Sequence, residues 1–258
     1  MEENKNAVII LTRGYDTIEK YSDLIKRNKL IEYINEKKLD YLIFHEGNIP
    51  IEHQEYIQDE TKNLKLIFIN VRDEFKYEFK DNYNKIEDKP WFSLGFRNMC
   101  NFWFVSFWKY VEKYEKIIRI DEDCFINFDF RIIFDYLDNK KIVYGKWQEE
   151  QYFVTAMLRV FTKNFMENHN VTIDMTKRHP GGPYTNLIGL NLIELRKEKL
   201  LNIYIEAIKE SDNIYIHRWG DLPLWGEVLT YMMNEEKDAL ISKDIKYIHG
   251  SHNYRVNC

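Results

Sequence analysis

The stretch KIIRIDEDCFINFD, residues 116–129, decides the reading of this chain. An apolar, β-branched run (Ile117, Ile118, Ile120) stops at three adjacent carboxylates, Asp121, Glu122 and Asp123. Apolar character resumes at Cys124 and Phe125, so the triplet is not part of a polar surface loop. It reads as the end of a buried strand. Two carboxylates in i, i+2 relation on a turning backbone can converge on one cation. Hard divalent cations take carboxylate oxygens and keep positions open for phosphate oxygens. A cation so held can offset the charge of a departing diphosphate. The competing reading is a solvated turn, and Asp-x-Asp alone is too short to decide between them.

Outward from this stretch, apolar runs and helical periodicities alternate. AVIILT (7–12), YLIFH (41–45), KLIFINV (65–71) and KIVYGKW (141–147) read as buried strands, and IKYIHGSHNY (245–254) as a last strand and loop. Helical spacing is expected over 16–37, 93–114, 130–140, 159–169 and 221–233, with strand then helix over 190–210. Residues 46–64 read as a polar loop, which gives a β-α-β-β order at the start. Residues 72–92 read as a loop able to close over a ligand, and HPGGPYTN (179–186) as a breaker-rich loop. The fold class implied is α/β, a mostly parallel sheet with helices on both faces. In such sheets ligands bind off the carboxyl ends of strands. That points to Arg13, His45, Asp121 to Asp123, Trp147 and His249.

The chain has 258 residues, 45% of them hydrophobic, a globular composition large enough to bury a substantial core. Lys and Arg number 37 against 42 Asp and Glu, for a formal charge of −5, with no basic block. Nucleic-acid binding is therefore disfavoured. The three cysteines form no CxxC pair, which fits a reducing compartment rather than a disulfide or zinc framework. No apolar run has membrane-spanning length, and the polar-flanked N-terminus does not resemble a signal peptide. The expected location is cytoplasmic. Asn170-Val171-Thr172 is a glycosylation triplet of a kind common by chance.

Two later stretches carry chemistry. YIHRWGDLPLWGEV (215–228) places Arg218, Trp219 and Asp221 at a helix start. Asp221 reads either as a simple cap or as a carboxylate facing a sugar. KYIHGSHNY (246–254) holds His249 and His252 after a strand. Either is more often structural, yet a histidine there could complete a metal shell begun by Asp121 and Asp123.

Together and in this order, these stretches resemble glycosyltransferase family 15, the fungal α-1,2-mannosyltransferases. SLGFRNMCNF (93–102) is similar to the family's Tyr-Arg-x-Met-Cys-Arg-Phe segment. YEKIIRIDEDCFINFD is similar to Trp-Arg-Val-Glu-Pro-Asp and its sequel. KKIVYGKW is similar to Lys-Val-Tyr-Gly-Phe, and RWGDLPL to Arg-Trp-Gly-Asp-Ala-Pro-Val-His. IKYIHG is similar to a late histidine-bearing segment.

The resemblance spans most of the chain and implies a GT-A fold. It also implies GDP-mannose as donor, a divalent cation (Mn²⁺, or Mg²⁺) and retention of anomeric configuration. Residues 1–147 would form the nucleotide-binding part of one domain and 148–258 the acceptor side. Asp121 and Asp123 fall on the family's two metal-binding acids, with Glu122 in place of a proline. His249 falls on a histidine of the metal site, and Asp221 on an aspartate acting at the acceptor hydroxyl. Arg97 lies in the donor-facing segment and Arg13 near the nucleotide. Two departures stand out. The family's Ser-Asn-Phe-Glu corresponds to Thr185-Asn186-Leu187-Ile188, which carries no carboxylate, and its tyrosine before Arg-x-Met-Cys is Phe96. Two alternatives remain open: a UDP-sugar donor, or a catalytically silent glycan- or nucleotide-binding module.

Overall fold

The computed structural model describes residues 4–34, 39–77, 93–176, 180–250 and 254–258. Most of the expected closing loop (78–92), His252 and His179 lie outside the described residues.

Twelve strands are present among the described residues. They are β1 (Asn6–Leu11), β2 (Asp40–His45), β3 (Lys65–Asn70), β4 (Lys116–Ile120), β5 (Cys124–Ile126), β6 (Ile142–Tyr144), β7 (Trp147–Glu149), β8 (Gly181–Pro183), β9 (Leu187–Asn191), β10 (Ala239–Ile241), β11 (Tyr247–His249) and β12 (Tyr254–Val256). The α-helices are α1 (Ser22–Ile34), α2 (Ile51–Glu60), α3 (Leu94–Asn101), α4 (Arg131–Tyr136), α5 (Leu158–Asn168), α6 (Leu192–Arg196), α7 (Lys199–Ser211), α8 (Asn213–His217), α9 (Asp221–Tyr231) and α10 (Glu235–Asp238).

Seven strands form the central sheet in the order β10-β6-β9-β4-β1-β2-β3. All run parallel except β9, which pairs antiparallel with β4 and β6. Both faces are covered, and β1 shows how. Ala7 and Ile9 join one apolar core while Val8 and Ile10 join the other, the period-two alternation of a pleated strand. That is why the run reads as continuously apolar.

Three expectations need correction. The chain from 46 to 64 is not all loop: α2 lies there, so the order is β-α-β-α-β. Only Ile57 of that helix is buried, which leaves almost no apolar period to read. The helix expected over 93–114 is α3 followed by a π turn (Phe102–Ser106) and a 3₁₀ turn (Phe107–Tyr110). Phe102, Trp103 and Phe104 are all buried in succession, which one face of a 3.6-residue helix cannot provide. The breaker-rich segment contains β8. A Cβ on Gly182 would sit 1.9 Å from the Leu222 carbonyl oxygen, and one on Gly226 1.6 Å from that of Gly181. The glycines let α9 lie directly on the β8 backbone.

A second sheet, β12-β11-β5, is antiparallel and extends the acidic stretch. Its register sets His249 opposite Cys124. No helix among the described residues is long and apolar enough to cross a membrane. All three cysteines are free.

Candidate active site

β4 and β1 are parallel neighbours, so the acidic triplet and Thr12-Arg13 leave the same edge of the sheet. Antiparallel β9 begins at that edge, where the Asp121 N–H donates to the Asn186 carbonyl at 2.8 Å. The triplet then divides, and each carboxylate takes a different partner.

Glu122 turns toward β1. It accepts from the Thr12 hydroxyl, from the Arg13 N–H at 3.3 Å and from the Tyr15 hydroxyl at 3.3 Å. It ties two strand ends together. Burial and the Glu122 charge push the Tyr15 phenol up to about 12.

Asp123 turns the other way. Its Oδ1 lies 3.3 Å from Nε2 of His249. The β5–β11 register brings this about, and the Gly250 N–H closes the corner on the Asp123 carbonyl at 2.8 Å. Nδ1 of His249 lies 2.9 Å from the Tyr184 hydroxyl. With the proton on Nε2 the ring donates to Asp123; with the proton on Nδ1, donated to Tyr184, the Nε2 lone pair and the Asp123 carboxylate can converge on a cation. Asp123, Cys124 and His249 each place a ligand atom within 4.8 Å of the others. Cys124 is a poor member of that set. Burial, reinforced by Asp121 and Asp123, raises its thiol well above the ordinary range, and its Sγ faces the Asn186 carbonyl at 3.5 Å. A neutral thiol is no ligand for a hard cation.

Asp121 takes a third course. It accepts from Arg119 at 3.2 Å, and the same guanidinium donates to Asp221. Arg119 is buried beneath the ring of Trp103, its guanidinium carbon 4.3 Å from the ring centroid. One arginine thus links the strand tip to the start of α9, joining two acids 100 positions apart in the sequence. Burial pushes the Asp121 carboxyl above its ordinary value. Arg119 opposes that shift, and the nearby Asp221 charge adds to it. Asp121 keeps 28% of its side chain exposed, against 7% for Asp221.

A further cation lies below. Arg27, on α1, is fully buried and donates to the Asp121 carbonyl at 3.3 Å. Burial lowers its pKa to about 10, and the charges of Glu122, Cys124, Asp123 and Asp121 act against that.

The structure therefore brings Asp121, Asp123, His249 and Asp221 into one region, with Arg13 at its edge. Arg13 is exposed, and its backbone joins the triplet through Glu122. Arg97 is placed differently. It is buried on α3, donates to the Tyr215 carbonyl and so fastens α3 to α8. The same helix supplies Cys100, which lies against the Asp221 N–H, so the RNMC and RWGD segments meet here. His45 is buried and accepts from the Gly47 N–H at 3.2 Å, a turn-forming role. Ile188 is buried in the core opposite Arg119. Reading the residues alone missed Arg119 and Arg27. The available signal for Arg119 was a lone charge inside an apolar strand.

No protein-family profile matches this chain, and no curated protein sequence does. Solved structures do resemble it. The mannosyltransferase Ktr4p from S. cerevisiae superposes with a TM-score of 0.79 at 17% identity, covering 96% of this chain and 70% of that one. Core-mannan synthase A from Aspergillus fumigatus, in its Mn/GDP form, gives 0.78 at 19% identity over 96% and 75%. Mouse xyloside xylosyltransferase 1 gives 0.53 at 14% over 92% and 85%. The mostly parallel sheet with helices around it is the GT-A glycosyltransferase fold that these solved structures share.

Proposed function

We propose that this protein is a metal-dependent, retaining glycosyltransferase that moves mannose from GDP-mannose to a hydroxyl of a glycan or glycoconjugate. The observation that carries this is the strand tip. Asp123 meets His249 there, while Arg119 holds Asp121 and Asp221 side by side. The shared fold supports the reading, since one neighbour is a Mn/GDP form.

Asp121, Asp123 and His249 would hold the cation. Two carboxylates and an imidazole suit Mn²⁺ better than the all-oxygen shell Mg²⁺ prefers. A divalent cation so bound would offset the charge on the diphosphate as the glycosidic bond breaks. Arg13 lies at the same strand edge and would meet the nucleotide. Arg97 would act at one remove, by fixing α3 against α8. Asp221 accepts the acceptor's hydroxyl as a hydrogen-bond donor and orients it, a task that requires reach before basicity. Because Ile188 offers no carboxylate, no glycosyl-enzyme forms there. Attack then comes from the face the diphosphate leaves, and the hydroxyl proton passes to Asp221 or to the leaving oxygen.

Thermal unfolding with Mn²⁺ and a panel of nucleotides tests the donor. Stabilisation by GDP with Mn²⁺, lost on chelation, is the expected result. Stabilisation by UDP and not GDP would replace the donor. Binding without turnover of GDP-mannose would leave a silent binding module, the reading that Ile188 favours.

A further inference from the structure

The segment from Trp147 to Met157 runs beside the acceptor side of this site and is fastened at both ends. At its start β7 pairs with β8, and the Glu150 N–H donates to the Pro180 carbonyl at 2.9 Å. Near its end the Ala156 carbonyl accepts the indole N–H of Trp219 at 2.8 Å. Trp219 stands two residues before Asp221, so the turn that carries Asp221 also anchors this segment. Between the anchors, the Glu150 carboxyl is partly buried and interacts electrostatically with Arg218 and Asp221. A 3₁₀ turn follows (Tyr152–Val154), which buries Val154 and turns its two aromatic residues outward. Tyr152 is 81% exposed and Phe153 64%, with Met157 and Val160 also exposed nearby.

Neither aromatic belongs to a core cluster. Leaving most of a Phe ring in water forgoes the free energy its burial would bring. Two adjacent aromatic residues left largely exposed on one turn offer apolar faces to a ligand. Charge narrows the occupant. Residues 147–157 hold Glu149 and Glu150 and no Lys or Arg, so an anionic lipid surface would be repelled. A neutral pyranose fits both features. Its C–H face packs on an aromatic ring, and its hydroxyls donate to a carboxylate.

We propose that Tyr152 and Phe153 form the platform for the acceptor sugar, with Glu150 receiving its hydroxyls beside Asp221. This rests on the transferase reading for the word acceptor, and on the segment's own geometry for the word sugar. The platform takes a neutral hexopyranose unit, and its aromatic faces select by ring face rather than by charge.

The test titrates methyl α-mannoside, methyl β-glucoside, methyl β-galactoside, N-acetylglucosamine and an α-linked mannobiose into the full chain without donor, followed by ligand-observed NMR and calorimetry. At least one should bind, and Tyr152→Ala/Phe153→Ala should weaken it by about tenfold or more. Tyr152→Trp/Phe153→Trp should restore it. Stabilisation by GDP with Mn²⁺ should be the same in all three proteins. Equal sugar affinity in the alanine variant, or no sugar bound by the wild type, overturns the proposal. So does co-sedimentation with anionic phospholipid vesicles that the alanine variant loses. If sugar binding depends on the platform but no nucleotide of the panel binds with Mn²⁺, the transferase reading falls and the sugar surface stands.

Discussion

Two carboxylates two residues apart, Asp121 and Asp123, live in different surroundings. Asp123 sets its carboxylate 3.3 Å from Nε2 of His249, which stands opposite Cys124 in the antiparallel extension and whose Nδ1 meets the Tyr184 hydroxyl. Asp121 shares with Asp221 an arginine, Arg119, that lies buried against Trp103. One pairing is a carboxylate beside an imidazole, a set of donor atoms for a cation. The other is a network that fixes where α9 begins. The chemistry of a DED triplet is thus set less by its charge than by which strand each side chain leans on.

Substitutions can break this contrast. Arg119→Met should have the largest effect, because it leaves Asp221 buried and unpaired. A loss of roughly 3–5 kcal/mol is expected in urea unfolding, since breaking one partner of a buried pair strands the other charge. A loss under about 1 kcal/mol, the value of an exposed pair, would show the network to be well solvated. Asp123→Ala or His249→Ala should leave urea unfolding nearly unchanged without metal. Transfer, and stabilisation by Mn²⁺ with GDP, should drop by about 10²–10³-fold. If instead the apo fold collapses, the Asp123–His249 pair is structural.

Finer changes sharpen it. Tyr184→Phe removes the hydroxyl that orients the His249 ring through Nδ1, and Mn²⁺ affinity should fall by about 10–100-fold in calorimetry with the fold intact. The smallest effect concerns pH. The folded protein holds the Asp121 proton more tightly than the unfolded chain does. Its contribution to stability is therefore complete below the ordinary carboxylate pKa and is lost as pH rises through the folded value. In chelator, Asp121→Asn should be more stable than the wild type near neutral pH. The gap should close as pH falls to about 4, read from urea midpoints. A gap of opposite sign would mean Arg119 outweighs burial.

Much of this was legible in the residues, and the gaps have physical causes. β1, β2 and β4 announce themselves because a strand covered on both faces is apolar over most of its length. Helix α2 stayed hidden because Ile57 is its one buried residue, which leaves no apolar stripe to read. The break after Asn101 stayed hidden because consecutive aromatics read as a helix buried all round, whereas a π turn is what places all three inward. Among site residues, Asp123 and His249 could be nominated by type and position at strand ends. Arg119 could not, because its worth lies in bridging two acids that only folding brings together.

The sequence by itself determined a parallel α/β sheet with acids at one strand tip, since apolar periodicity and residue type are local properties of the chain. Tertiary structure alone decided that the triplet divides three ways. The antiparallel register that lays His249 across from Cys124, and the reach of Arg119 to Asp221, are long-range pairings. Such pairings follow from how whole elements pack, and no window of residues contains that information.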